Sequence, residues 1–131
     1  EIMNKEGLSN VYKRHALCAE ATRKGLMAMG FDLLAKDIPS NSATGVVLPE
    51  GFDGGKFVKS MREKAGLTFA GGQDHLKGKI LRVSHLGYHD FFDTIIALSA
   101  LEMGFSQFGL KIDLGAGVKA AEEVFKPHLG V

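Results

Sequence analysis

The amino-acid sequence predicts an α+β domain, in which helices cover one face of a small, mostly antiparallel sheet of about four strands. Three observations support this fold class. The first part of the chain has apolar residues at three- and four-residue steps, the middle holds four short apolar segments bounded by turn residues, and two further helical patterns end the chain. The predicted order is helix, strand, strand, helix, strand, strand, helix, helix.

The first helix is predicted to run from Leu8 to Met29, because its charged residues lie mostly off one apolar face. The positions on that face are Leu8, Val11, Tyr12, His15, Ala19, Thr22, Leu26 and Met29. Gly30 follows directly, and a glycine just past the last periodic residue is a common helix end. His15 is therefore expected to be a core or interface histidine rather than a base.

The four predicted strands are short and separated by residues typical of turns. They are residues 31–36, 44–49, 67–72 and 79–85. A short helix is predicted between the second and third strands, with Phe57 and Met61 on its apolar face. Asp53 is its expected N-cap and Gly66 its expected end.

Two helices are predicted to close the chain. The first starts at Asp90 as N-cap with Asp93 three residues on, and the second runs from Asp113 to Phe125. The buried face of the first is expected to carry Phe92, Ile95, Ile96, Ser99 and Met103, and that of the second Leu114, Val118, Ala121 and Phe125.

Composition bounds the class of protein. The 131 residues are enough for one domain, and 16 Lys and Arg against 15 Asp and Glu leave a net charge of +1, so we expect no nucleic-acid partner. No apolar run approaches the roughly 20 residues that cross a bilayer, so we expect no membrane partner. The single cysteine, Cys18, is expected to be buried in a cytoplasmic protein. The chain starts at Glu1 without an initiator methionine, which suggests a piece of something longer.

Arg82 is the candidate binding residue, in the segment "GKILRVSHLGYHD". In an extended strand Ile80, Arg82 and Ser84 share one face, and Leu81, Val83 and His85 the other. The more common role for such an arginine is on an edge strand, reaching solvent or a nearby carboxylate. The alternative is an anion receptor, because a guanidinium takes a carboxylate with two parallel hydrogen bonds. Composition and periodicity leave both open.

The remaining polar clusters give weaker signals. His85 and His89 are four residues apart, as in a helical metal site, but Gly87 between them predicts a turn. We therefore expect turn and capping roles for these histidines and for His75, and no metal site. The glycine-rich stretch 71–78 lacks the spacing of a phosphate-binding loop and precedes a strand. No nucleophile with a visible activator stands out, so no catalytic residue is assigned.

Several spaced motifs together resemble a known family. In "AGGQDHLKGKILRVSHLG" (residues 70–87), a Gly-Gly turn is followed by Gly-Lys, an apolar-Arg-apolar triplet and His-apolar-Gly. Residues 6–33, 46–54 and 100–109 match as well. This pattern resembles the C-terminal small domain of class V, fold type I aminotransferases that use pyridoxal phosphate. The group includes alanine-glyoxylate, serine-pyruvate and serine-glyoxylate aminotransferases and chains named as the small subunit of soluble hydrogenase.

The resemblance implies a role for Arg82. In the family, the arginine at this place binds the α-carboxylate of a small amino acid, alanine or serine, or of the keto acid glyoxylate or pyruvate. The family's Schiff-base lysine and cofactor-binding groups belong to a large domain that precedes this one and is absent from residues 1–131. The resemblance thus implies a homodimeric, pyridoxal-phosphate-dependent transaminase at full length, and no cofactor or activity for this fragment alone. Ser84 replaces a glycine that the family often has two residues after the arginine.

Two other interpretations remain open from the sequence. The chain could be a stand-alone regulatory α+β module that senses a small carboxylate. Alternatively, it could be a folded half whose exposed faces self-associate when their normal partners are missing.

Overall fold

The computed structural model describes residues 1–130. This part of the chain contains five α-helices and three strands. They are α1 (Ile2–Glu6), α2 (Leu8–Ala28), β1 (Ala43–Val47), α3 (Gly54–Ser60), β2 (Ala70–Gly71), β3 (Ile80–Ser84), α4 (Phe91–Gln107) and α5 (Ala116–Leu129). A π-helical turn, Met61–Ala65, continues α3, and a 3-10 turn, Asp74–Leu76, lies between β2 and β3. None of the helices described is both long and apolar enough to cross a membrane.

The sheet is antiparallel throughout, with the strand order β1–β3–β2. The predicted α+β class is confirmed, but the sheet has three strands where about four were expected. The predicted strand at residues 31–36 forms a single bridge, between Leu33 and Val46. Backbone hydrogen bonds flank it, from Leu34 N to Gly45 O (2.8 Å) and from Val47 N to Asp32 O (2.9 Å). The backbone then bends at Leu34 and again at residues 36–38, which ends the pairing.

Helix α2 fits the predicted helix closely. It ends at Ala28, and Gly30 follows with φ 94°, a value that favours glycine. Cys18 is fully buried, as expected. Tyr12 and Leu8, however, are 69% and 54% exposed, although both lie on the predicted apolar face.

The core lies between the inner face of the sheet and the helices. Val46, Leu81 and Val83 supply the inner face, and burying each such side chain contributes roughly 1.5–3 kcal/mol. Phe57 and Phe105 stack at its centre, with ring centroids 4.4 Å apart and planes 2° from parallel. The sheet therefore has one covered face and one open face.

The buried face of α4 differs from the predicted one. Asp90 and Asp93 form the expected capping box, yet Phe92, Ile96 and Met103 are 68%, 56% and 52% exposed. The buried residues are Thr94, Leu98, Ala100, Leu101, Glu102, Gly104 and Phe105. Apolar residues occur around most of this helix, so their spacing did not identify the face that packs on the core.

Helix α5 starts three residues later than predicted, at Ala116 after Gly115, because its N-terminal cap comes from another helix. Glu102 of α4 is 3% exposed. Its carboxylate accepts hydrogen bonds from the backbone N–H groups of Gly115 (2.8 Å), Gly117 (2.7 Å) and Val118 (3.3 Å). These are donors that a helix cannot satisfy internally. The predicted start of the helix at Asp113 is therefore wrong.

Candidate functional site

Arg82 lies in the middle of β3, the central strand, and points away from the core. Its neighbours across the sheet are Gly45 on one side and Ala70 on the other. Leu81 and Val83, the adjacent residues of the strand, are 0% and 3% exposed, whereas Arg82 is half-buried. The predicted alternation of faces is confirmed. The edge-strand position of the more common interpretation is wrong, because both sides of β3 are paired.

One edge of the Arg82 guanidinium is held by the backbone and the other is available. Its Nε donates a hydrogen bond to the Gly71 carbonyl at 2.9 Å. Within residues 1–130 this is the side chain's one hydrogen bond, and no carboxylate there lies within 4.0 Å of it. The two terminal nitrogens therefore keep the parallel N–H groups that bind a carboxylate in a fork.

The residues around Arg82 are small or apolar. A Cβ on Gly45 would lie 3.3 Å from the side chain of Leu34, so Leu34 packs directly over this glycine. Ala70 is exposed on the other side. Ser84, the position where the family often has glycine, is exposed and its Oγ accepts from Leu86 N at 3.4 Å. The residues paired with Arg82 across the sheet, Gly45 and Ala70, are thus both small.

His85, one residue past β3, has a structural role, as expected, but it bonds across to β1 rather than capping a turn. It is fully buried, and its Nδ1 donates to the Asn41 carbonyl at 3.0 Å. Because the carbonyl can only accept, Nε2 is left to accept from Thr44 Oγ1 at 2.9 Å. Burial lowers the pKa of His85 to about 4, so the ring is neutral at pH 7 and joins the ends of β1 and β3.

The other predicted histidine positions are also structural. His89 lies in the turn before α4, where its Nε2 is 2.9 Å from Thr94 Oγ1, and burial lowers its pKa. His75 is exposed in the 3-10 turn. His15 is half-buried and its Nδ1 donates to the Val11 carbonyl at 2.7 Å. Across residues 1–130 the structure brings together no group of three His, Cys, Asp or Glu side chains suited to a metal ion.

A second arginine, Arg14 of α2, donates from all three of its guanidinium nitrogens, and nothing in the sequence pattern distinguished it. Its Nε and Nη2 donate to the two carboxylate oxygens of Glu6 at 2.7 and 2.9 Å. Its Nη1 donates to the carbonyls of His89 (2.6 Å) and Gly87 (3.1 Å). The hydrogen bonds with Glu6 raise the pKa of Arg14 and lower that of Glu6. Arg14 thus joins α1 and α2 to the loop that follows β3.

Comparison with known proteins gives a consistent group of relatives. The chain is 38% identical over 125 residues to the small subunit of soluble hydrogenase from Synechococcus, covering 95% of this chain and 33% of that protein. It is 35% identical to a serine-glyoxylate aminotransferase from Methylorubrum extorquens, covering 94% of this chain and 31% of that enzyme. No protein-family model matches the chain.

Solved structures agree with these relatives. The structure of a pyridoxamine-pyruvate aminotransferase from Mesorhizobium loti superposes with a TM-score of 0.90 at 32% identity, covering 97% of this chain and 33% of that one. A ureidoglycine-glyoxylate aminotransferase from Bacillus subtilis also gives 0.90, at 28% identity, covering 95% and 33%. The chain spans about a third of the length of the relatives it matches, their C-terminal third. This chain is therefore homologous to the C-terminal small domain of class V aminotransferases and has that domain's fold.

Proposed function

We propose that this chain serves as the C-terminal domain of a pyridoxal-phosphate-dependent aminotransferase, in which Arg82 binds the carboxylate of the substrate. The reaction moves an amino group between a small amino acid, alanine or serine, and a keto acid, glyoxylate or pyruvate. The observation that supports this most directly is the available edge of the Arg82 guanidinium on the open face of the sheet. The names of the relatives, serine-glyoxylate and pyridoxamine-pyruvate aminotransferases among them, support the substrate class.

The chemistry of these substrates suits such a residue. Every α-amino acid and α-keto acid in the reaction carries a carboxylate next to the carbon that reacts. A guanidinium that binds this carboxylate with two charge-assisted hydrogen bonds, each contributing roughly 1.5–3 kcal/mol, fixes where that carbon lies. Pyridoxal phosphate, when bound, supplies the carrier for the amino group. Arg82 supplies binding and orientation.

The residues of this chain fit the substrate carboxylate but not attachment of the cofactor. The strand residues that share the face of Arg82 are Ala43, Gly45, Val47, Ala70, Ile80 and Ser84, and none is the lysine that an imine requires. We therefore assign the lysine and the phosphate-binding groups to a large domain that precedes this one in the complete polypeptide. That polypeptide would pair as a homodimer.

Replacing Arg82 in the complete polypeptide tests the assignment. We expect Arg82→Ala to lower kcat/KM for alanine and pyruvate by at least about a hundredfold, since two charge-assisted bonds are lost, with the cofactor absorbance unchanged. Arg62→Ala is the control, because Arg62 is exposed in the π-helical turn that continues α3. Unchanged kcat/KM in Arg82→Ala would reject the assignment.

The coding sequence tests the domain arrangement. An upstream reading frame of roughly 240 residues, about one large domain, is expected to be continuous with this chain. Should the chain instead be encoded alone and bind alanine or pyruvate in calorimetry without cofactor, the carboxylate-sensing module would replace the enzyme as the better interpretation.

A further inference from the structure

The carbonyl that orients Arg82 belongs to a peptide unit in an unusually crowded position. Gly71 O accepts from Arg82 Nε, and this oxygen lies in the peptide plane that joins Gly71 to Gly72. Any displacement of the Gly72 Cα therefore moves the Gly71 oxygen directly. The position of the guanidinium is thus linked to the position of Gly72.

Gly72 has no room for a side chain. A Cβ added there would overlap the carbonyl oxygen of Leu76, lie 2.5 Å from its carbonyl carbon and lie 2.9 Å from Cγ1 of Ile80. The first two are backbone atoms, which cannot turn away as the end of a side chain can. Gly71 is the opposite case, because a Cβ there would meet nothing within 4 Å. Neither glycine has a positive φ, so the difference between them is one of space.

The Leu76 carbonyl is itself held in place. Its oxygen accepts from Lys79 N at 3.0 Å, and Leu76 N donates to Gln73 O at 2.9 Å. The end of the turn is tied to β1, because Leu48 N donates to Lys79 O at 2.8 Å. A side chain on Gly72 would therefore displace residue 72 more readily than it would displace Leu76.

Strand β2 offers little resistance to such a displacement. It has only two residues, Ala70 and Gly71, paired with Arg82 and Leu81. With so short a ladder, the place of Gly71 depends on the turn that follows it.

We propose that Gly72 is a positioning residue for the substrate carboxylate: its close contact with the Leu76 carbonyl fixes the Gly71 oxygen, which orients the guanidinium of Arg82. This rests on the proposed role of Arg82 in binding substrate. The two glycines then have distinct roles. Gly71 supplies the carbonyl that accepts from Arg82, and Gly72 is needed because no Cβ fits at its position.

The test compares Gly72→Ala with Gly55→Ala in the complete polypeptide carrying its cofactor. We expect Gly72→Ala to raise KM for alanine between about tenfold and a hundredfold, the loss typical of a misplaced binding group, with a smaller change in kcat. Gly55→Ala is the control, because Gly55 is exposed in α3 and a Cβ there would make only an ordinary contact, 3.6 Å from Asp53 Oδ1. This variant is expected to stay within about twofold of the parent in both constants.

A ligand without the carboxylate separates positioning from general damage. Alanine and alaninamide are titrated into each holoenzyme, and binding is followed by the change in cofactor absorbance. Gly72→Ala is expected to weaken alanine binding while leaving alaninamide binding within about twofold, because only alanine uses the guanidinium. Equal weakening of both ligands, or equal behaviour of the two glycine variants, would overturn the proposal.

Arg82→Ala in the same titration distinguishes an error in the role of Arg82 from an error in the role of Gly72. If Arg82→Ala fails to reduce the preference for alanine over alaninamide, the proposed function itself is wrong. If Arg82→Ala removes the preference and Gly72→Ala does not, only the role of Gly72 is wrong.

A milder variant keeps the test usable if Gly72→Ala does not fold. Gly78 closes the same turn with φ 76° and has open space where a Cβ would be, so Gly78→Ala strains the turn without a collision. It is expected to weaken alanine binding in the same direction by a few-fold, again with alaninamide unaffected. Unchanged alanine binding in a folded Gly78→Ala would count against the proposal.

Discussion

Two arginines of this domain, Arg14 and Arg82, are both partly buried but use their guanidinium groups in opposite ways. Arg14 donates four hydrogen bonds, two to the Glu6 carboxylate and two to loop carbonyls. Arg82 donates one, to Gly71 O, and faces the open side of the sheet. An arginine whose three nitrogens all donate to the protein stabilises the structure, whereas the available terminal nitrogens of Arg82 suit the proposed binding of a carboxylate.

The contrast extends to the residues around each arginine. On the side of Arg14, both ring nitrogens of His85 and Nε2 of His89 lie within hydrogen-bond distance of hydroxyl or carbonyl oxygens. Within residues 1–130, no buried side-chain nitrogen or oxygen lacks a partner. The neighbours of Arg82 across the sheet are Gly45 and Ala70, and neither has a polar side chain that could pair with the guanidinium. The polar groups around Arg14 are thus paired within the chain, whereas the terminal nitrogens of Arg82 are available to the proposed substrate carboxylate.

The largest predicted change in stability concerns His85 and pH. Its pKa is lowered to about 4 by burial, from 6.5, so the folded state takes up a proton less readily than the unfolded state. The resulting stabilisation is fully present above pH 6.5 and is lost as the pH falls towards 4. The total change in the free energy of unfolding is about 3 kcal/mol. Urea unfolding of the chain at pH 7, 6, 5 and 4.5 should show this decline.

Two histidine variants isolate the source of that decline. His85→Gln places an amide near Thr44 in place of the imidazole, and its free energy of unfolding should be lower than the parent's at pH 7. This free energy should also vary less with pH, because the amide cannot be protonated. His89→Gln is the control for the second histidine with a lowered pKa. If the parent and His85→Gln decline equally between pH 6.5 and 4.5, His85 is not the group responsible.

The next prediction concerns the two arginines directly. Arg14→Ala should lower the free energy of unfolding by about 2 kcal/mol, because it removes charge-assisted bonds and leaves the Gly87 and His89 carbonyls without their donor. Arg82→Ala should change it by less than about 1 kcal/mol, since only the bond to Gly71 O is lost. Urea unfolding at pH 7 measures both. The contrast would be contradicted if Arg82→Ala lowered the free energy of unfolding more than Arg14→Ala.

The smallest predicted effect concerns Glu6. The hydrogen bond from Arg14 lowers the pKa of Glu6 from 4.5, so this carboxylate stabilises the folded state above pH 4.5 and the contribution is lost as the pH falls through the lowered value. Glu6→Gln should therefore remove a small part of the loss of stability below pH 4.5 and leave the His85 region of the profile unchanged. Identical profiles of the parent and Glu6→Gln below pH 4.5 would contradict the coupling.

Local signals in the sequence predicted several parts of the fold correctly. The end of α2 before Gly30, the N-caps Asp53 and Asp90 and the outward direction of Arg82 all follow from residues within a few positions of one another. The errors arose where a distant residue decided the outcome. Glu102 moved the start of α5, and packing on the sheet selected a face of α4 that spacing had not identified.

By itself, the sequence determined the fold class, most helix ends, the face of β3 that carries Arg82 and the spaced motif whose resemblance drew attention to that arginine. The tertiary structure decided that β3 is the central strand, that Gly71 O holds Arg82 and that all three guanidinium nitrogens of Arg14 donate within the chain. The physical reason is that strand alternation and helix capping depend on neighbouring residues, whereas hydrogen bonds such as Arg82 to Gly71 or Arg14 to His89 join positions 11 and 75 residues apart. Whether an arginine is saturated or available is a property of the folded molecule.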